Sequence, residues 1–99
     1  MTQLLTEEDV AGALRSLSDW EGDTGALRRT VSAPDFMTGI RLVDDVAVAA
    51  EELDHHPDVD IRWRKVTFSL STHSQGGVTE RDVELARRID GIAERHGAR

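Results

Sequence analysis

Two kinds of periodicity alternate along this chain. Val10, Ala13, Leu14 and Leu17 recur at helical spacing behind Thr6-Glu7-Glu8-Asp9, an N-cap with acidic first-turn residues, so a helix is predicted over about Glu7 to Ser18. Trp20 follows, and Gly22 and Gly25 bracket a polar turn. From Ala26 to Ser32, apolar Leu27 and Val31 are interspersed with polar Arg28 and Thr30, which reads as a strand; Asp19–Gly22 is its candidate hairpin partner. Pro34, whose fixed φ suits a helix start, opens the longest element. Phe36, Ile40, Val43, Ala47 and Ala50 form its apolar stripe, widened by Val46 and Leu53, while Arg41, Asp44, Asp45 and Glu52 fall mostly elsewhere. Pro57 disfavours helical backbone at His56, so this helix should stop near that point.

The next pattern has period two. Val59, Ile61 and Trp63 alternate with charged residues; Val66, Phe68 and Leu70 then alternate with Thr67, Ser69 and Ser71. The parity flips at Arg64-Lys65, which predicts a two-residue hairpin loop there with Trp63 opposite Val66, although Arg-Lys is a poor loop pair beside Asn-Gly. One sheet face is then apolar and covered; the other carries Thr67, Ser69 and Ser71, with His73 just past the strand. Gln75-Gly76-Gly77 is a loop, and Thr79-Glu80-Arg81-Asp82 is a capping box. It leads into a helix with Val83, Ala86, Ile89, Ile92 and Ala93 on one face, ending near His96-Gly97. The expected fold is one α+β domain over residues 1–99, in the order α-ββ-α-ββ-α. A four-stranded antiparallel sheet carries its helices on one face, in two layers.

Composition narrows the function. With 38% hydrophobic and 31% charged residues the chain is expected to fold, and its net charge of −7 opposes direct nucleic-acid binding. It has no cysteine, which removes disulfides, thiolate metal sites and cysteine nucleophiles. The N-terminus lacks a basic, apolar leader and no apolar run reaches membrane-spanning length, so the chain reads as cytoplasmic.

Three of the four histidines lie in two places: His55-His56, at the predicted exit of the long helix, and His73. Imidazoles exchange protons near neutral pH, and Glu51, Glu52 and Asp54 lie just upstream. Each has an ordinary alternative. Paired histidines suit a helix C-terminus, and a lone His73 suits a loop. The capping box accounts for Asp82, and Glu51 is either a solvated carboxylate or one that orients a histidine. Trp20 and Trp63 read as core or site wall, and His96 as a solvated tail residue.

The joint spacing is more specific than its parts. Ala50-Glu51-Glu52-Leu53-Asp54-His55-His56-Pro57, then Trp63, Leu70-Ser71-Thr72-His73 and Glu80-Arg81-Asp82, resemble the signature of the pterin-4a-carbinolamine dehydratases, also known as dimerisation cofactors of a homeodomain transcription factor. Trp20 also fits, and the resemblance runs from about Trp20 to Ala93. It implies dehydration of a 4a-hydroxytetrahydropterin, the product left by aromatic amino-acid hydroxylation, to quinonoid dihydropterin without metal or redox cofactor. A functional link to an aromatic amino-acid hydroxylase follows from it. The resemblance puts His55 and His73 in acid–base roles and His56 mainly in pterin binding. Asp54 steadies its neighbours, Ser71 and Thr72 offer backbone hydrogen bonds, and Glu51, Trp63 and Asp82 support the site. It also implies a homo-oligomer, dimer or tetramer, built through helices and sheet edges, for which Asp58–Arg64 and Ala26–Ser32 are candidates. Two other classes stay open: a metal-binding module using the three histidines and Asp54, and a non-catalytic coactivator scaffold.

Overall fold

The computed structural model describes residues 3–99. Helix α1 (Glu7–Ser16) starts at Thr6 with the expected reciprocal cap: Asp9 N–H donates to Thr6 Oγ1 at 3.1 Å and Thr6 N–H to Asp9 Oδ2 at 3.2 Å. Strand β1 (Glu21–Gly22) pairs antiparallel with β2 (Leu27–Ser32), as the hairpin reading expected, although β1 is only two residues long. Helix α2 spans Phe36–Leu53, β3 is Asp58–Arg62, β4 is Lys65–Leu70, a single 3-10 turn covers His73–Gln75, and α3 spans Glu80–Arg95. The order is α-ββ-α-ββ-α, and the open antiparallel sheet runs β1-β2-β4-β3. β1 flanks β2 only at Leu27 and Arg28, so residues 29–32 have no strand partner on that side, and β3 is an edge strand; both segments proposed to include a sheet edge do so.

Burial follows the pleat. Leu27 and Val31 from β2 and Val66, Phe68 and Leu70 from β4 are buried on one face, with residues of all three helices in the same core. On the opposite face Thr30 and Thr67 share a 2.7 Å hydroxyl contact and Arg28 Nε donates to Ser69 Oγ. Trp20 is a core residue, as expected, and its indole N–H donates to Asp90 at 2.7 Å. The α3 stripe read from the sequence is buried throughout.

Four details differ from the sequence reading. Pro34 lies one residue outside the cap of α2; Asp35 is the N-cap and accepts from Thr38 N–H at 2.7 Å. The arc of α2 turned to the core is Gly39, Leu42, Val46, Ala49 and Ala50, whereas Phe36 and Ala47 are exposed. This helix is apolar over so much of its circumference that periodicity does not choose the inward arc. The β3–β4 loop is Trp63-Arg64, with Arg62 opposite Lys65 and Ile61 opposite Val66, rather than Arg64-Lys65. A shift of two residues keeps every side chain on its face, so the alternation could not detect it. The sheet's apolar face is covered over β2 and β4 but not over β3: all five β3 residues are exposed, Val59 and Ile61 among them.

Candidate active site

The site is built where α2 stops. Asp54 takes the left-handed conformation at φ 49°, which Asp tolerates better than most residues, and His55 N–H closes on Ala50 O at 2.9 Å. The chain turns sharply there, placing His55 inside and His56 outside. From the other side β4 ends at Leu70, and Thr72 and Gly77 bridge the loop that carries His73. Asp54, His55, His56, Ser71, Thr72, His73, Ser74 and Arg81 line a single cleft of about 240 Å³. The structure thus brings together all three histidines that the sequence singled out, with Asp54, Ser71 and Thr72. Two depressions of about 540 and 560 Å³ are more than twice as large and have no histidine in their lining, and a hollow of about 320 Å³ reaches only His56. Size is therefore a poor guide to the chemistry in this molecule.

Asp82 is the buried centre of the cleft's support. Its Oδ2 accepts from Thr79 N–H at 2.9 Å and from the Thr72 hydroxyl at 2.8 Å, and its Oδ1 lies 2.5 Å from His55 Nε2. The capping box thus explains one oxygen of Asp82 and leaves the other to His55, so a purely structural account is incomplete. A carboxylate accepting at both oxygens requires His55 Nε2 to carry a proton, which leaves Nδ1 as the ring's unassigned nitrogen. Thr72 and Thr79 hydroxyls also meet at 2.6 Å. Thr72 N–H is bonded to Gly77 O at 2.8 Å and its carbonyl accepts from Gln75 and Gly76. Its contribution is thus its hydroxyl on Asp82, not the backbone edge expected of it. Ser71 Oγ donates to Gly25 O at 2.9 Å.

His56 is hydrogen-bonded to Glu51, about one helical turn back, and both side chains remain largely exposed. His73 is exposed at the head of the 3-10 turn. Trp63 does not line the cleft; it sits at the hairpin tip, 79% exposed, so neither core nor site wall describes it. His96 is half-buried and its Nε2 donates to Asp45 Oδ2 at 2.7 Å, tying the end of α3 to α2 rather than trailing in solvent. Among the described residues no three His, Asp or Glu side chains are grouped closely enough to hold a metal ion, which does not favour the metal-module reading. Nor does any described helix have the length and apolarity to cross a membrane. The cleft residues to which the sequence reading gave no site role are Ser74, which carried no signal, and Arg81, which it quoted only within Glu80-Arg81-Asp82.

A two-layer α+β domain with a cleft of imidazoles, one backed by a buried carboxylate, is a scaffold for proton transfer. Comparison with known proteins gives it a family. The family model described as "Pterin 4 alpha carbinolamine dehydratase" matches residues 3–92. A Nocardia farcinica protein named "Putative pterin-4-alpha-carbinolamine dehydratase" is 56% identical over 92 residues, covering 93% of this chain and 97% of its own. A Mycolicibacterium vanbaalenii protein of the same name is 57% identical over 89 residues, covering 90% and 96%. The crystal structure of a transcriptional coactivator/pterin dehydratase from Brucella melitensis superposes with a TM-score of 0.86 at 38% identity, covering 90% of this chain and 97% of that one. A pterin dehydratase-like protein, identified as a RuBisCO assembly factor in the alpha-carboxysome, shares the fold at a TM-score of 0.61 and 21% identity, over 75% and 86% of the two chains. The chain belongs to the pterin 4 alpha carbinolamine dehydratase family.

Proposed function

We propose that this protein is a hydro-lyase that removes water from a 4a-hydroxytetrahydropterin to give quinonoid dihydropterin, with imidazoles as acid and base. The observation that carries this reading is the gathering of His55, His56 and His73 in one cleft, with His55 held by buried Asp82. The hydroxyl at C4a leaves as water once protonated, and the adjacent ring nitrogen loses its proton as the C4a–N double bond forms. Atoms balance as the loss of one water, and no electrons are exchanged. Two positioned imidazoles are enough for the two proton transfers. Asp82 suits His55 to the base role, because a carboxylate behind an imidazole stabilises the imidazolium as it forms. His73, on the facing loop, is the acid. His56, steadied by Glu51, grips the ring with Asp54 and Ser71. The upstream reaction is an aromatic hydroxylation that leaves the carbinolamine. The same reading includes a homo-oligomer of at least two copies, supported by the uncovered apolar side of β3.

The direct test adds the protein to chemically generated 4a-hydroxytetrahydropterin and follows dehydration by absorbance. Acceleration without added metal is expected. No acceleration refutes the activity, and activity lost to chelator and restored by zinc refutes the imidazole-only mechanism.

A further inference from the structure

We propose that Thr79 is a positioning residue for His55: its hydroxyl, acting through the Thr72 hydroxyl, steadies the Asp82 carboxylate and so keeps His55 Nδ1 free of a proton for use as the base. The proposal rests on the acid–base reading of the cleft. Thr79 lines no part of that cleft. It is fully buried, as is Asp82, and Thr72 is buried between them and the cleft.

Which group donates to which follows from the chemistry of each partner. Arg81 N–H donates to Thr79 Oγ1 at 3.3 Å, so that oxygen is already an acceptor. Among the described residues the other partner of the Thr79 hydroxyl is Thr72 Oγ1, at 2.6 Å. Thr72 Oγ1 in turn lies 2.8 Å from Asp82 Oδ2, and a carboxylate only accepts. A hydroxyl has a single hydrogen to give. Thr72 gives its hydrogen to Asp82, so Thr79 gives its own to Thr72. The chain of donors therefore runs from the Arg81 amide through Thr79 and Thr72 to Asp82, and it begins at a backbone N–H whose direction the helix fixes. The Thr79 N–H adds a second donor to Oδ2 at 2.9 Å. Thr79 thus acts on Asp82 twice, once through its amide and once through Thr72.

The consequence reaches the imidazole. Desolvation disfavours a buried carboxylate and draws a proton toward the pair it forms with His55, whose Nε2 lies 2.5 Å from Oδ1. The pair takes up that proton at Nδ1 and becomes neutral as a whole. The ring then has no lone pair left to act as a base. Donors on Oδ2 oppose the uptake, because hydrogen bonds given to the charged form favour it. Bonds in such a buried chain strengthen one another, so losing the far link weakens the near one. No atom of Thr79 has to touch substrate for its hydroxyl to matter.

The test has two parts, both on the full chain. In wild-type protein with isotope-labelled histidine, heteronuclear NMR at a pH where the His55 ring is neutral reads which nitrogen carries the proton. Nε2 is expected; a proton on Nδ1 instead overturns the proposal whatever the activity. Steady-state kinetics on a 4a-hydroxytetrahydropterin are then followed against pH for the wild type, T79V, T79S and T72V, each confirmed as folded. T79V keeps the amide on Asp82 and loses only the hydroxyl. It should lower kcat by up to about tenfold with little change in KM, and move the acid limb of the kcat/KM profile to higher pH. T72V removes a donor from Asp82 outright and should move the limb further the same way, and T79S should restore it. Asp54, His56, His73 and Arg81, the other ionisable groups lining the cleft, are unchanged in all four proteins, so the shift reads the Asp82–His55 pair. An acid limb that stays in place in T79V, or that T79S does not restore, leaves Thr79 a helix cap and overturns its positioning role while the dehydratase reading stands. Failure of the wild type to dehydrate the pterin overturns both.

Discussion

Asp82 accepts three buried hydrogen bonds. Asp82→Ala leaves Thr79 N–H, the Thr72 hydroxyl and His55 Nε2 without their buried acceptor, at a cost of about 1–3 kcal/mol for each group left unsatisfied. Urea denaturation should show a loss of several kcal/mol, and a loss under about 1 kcal/mol would mean the network is not formed. Asp82→Asn keeps the shape but not the charge. It should unfold later than the alanine variant and still lose about a hundredfold or more in kcat, because an amide does not stabilise an imidazolium. His55→Ala and His73→Ala should each lower kcat by about a hundred- to ten-thousand-fold, toward the lower end if each partly covers for the other. His56→Ala should raise KM more than it lowers kcat. Steady-state kinetics of these variants and of the His55/His73 double variant check the roles; a double variant near wild type would reverse them. The three histidines were legible because their spacing is a joint pattern. Thr72 was legible only as a cleft residue, since nothing in a Ser-Thr pair says which backbone groups a later Gly77 will occupy.

Helix starts were the most readable elements, since caps are local chemistry. Thr6 with Asp9 and Thr79 with Asp82 close as written in the chain. Asp35 was missed as the α2 cap because Pro34 offered a competing start signal. The hydrogen bond from Thr38 N–H holds the Asp35 carboxyl below its usual value of 3.8. A depressed folded-state pKa adds stability that is present above the unfolded value and is lost as pH falls through the folded value. Asp35→Ala should therefore lower Tm at neutral pH and narrow its gap to wild type as pH drops below the ordinary carboxylate range. A gap independent of pH would show that the cap does not act through its charge. The β3–β4 loop was misplaced for a different reason. Trp63 adopts φ 58°, a region that bulky residues rarely enter, so no turn preference would place it there. Left-handed backbone costs a residue with a Cβ about 1–2 kcal/mol, so Trp63→Gly should raise the stability of the isolated chain by about 1 kcal/mol in denaturant titrations.

Around the whole molecule, the places where burial departs from the pattern fall together. Val59 and Ile61 lie uncovered on edge strand β3, Trp63 projects from its end, and Val43, Ala47 and Val59 line an apolar hollow of about 320 Å³ that reaches His56 and Glu51. Two residues of the stripe first assigned to the core, Phe36 and Ala47, are in fact on the outside. One sequence cannot divide apolar positions between an inner core and a surface awaiting a partner, because both satisfy the same periodicity. A second copy in antiparallel register about Asp60 would set Asp58 against Arg62 and Val59 against Ile61. Light scattering at micromolar concentration should give at least a dimer, and Ile61→Lys or Trp63→Gly should shift it toward monomer. A monomeric wild type would refute the assembly.

The same carboxylate starts α3 and holds the His55 imidazole, so the helix start and the cleft share one support. Thr79 N–H exchanges with solvent when Asp82 Oδ2 releases it, and a swing of the whole carboxylate that does so also withdraws Oδ1 from His55. Deuterium uptake at this single amide is thus a clock for how often that support lets go. Mild denaturant should silence turnover in step with that uptake, before the sheet opens.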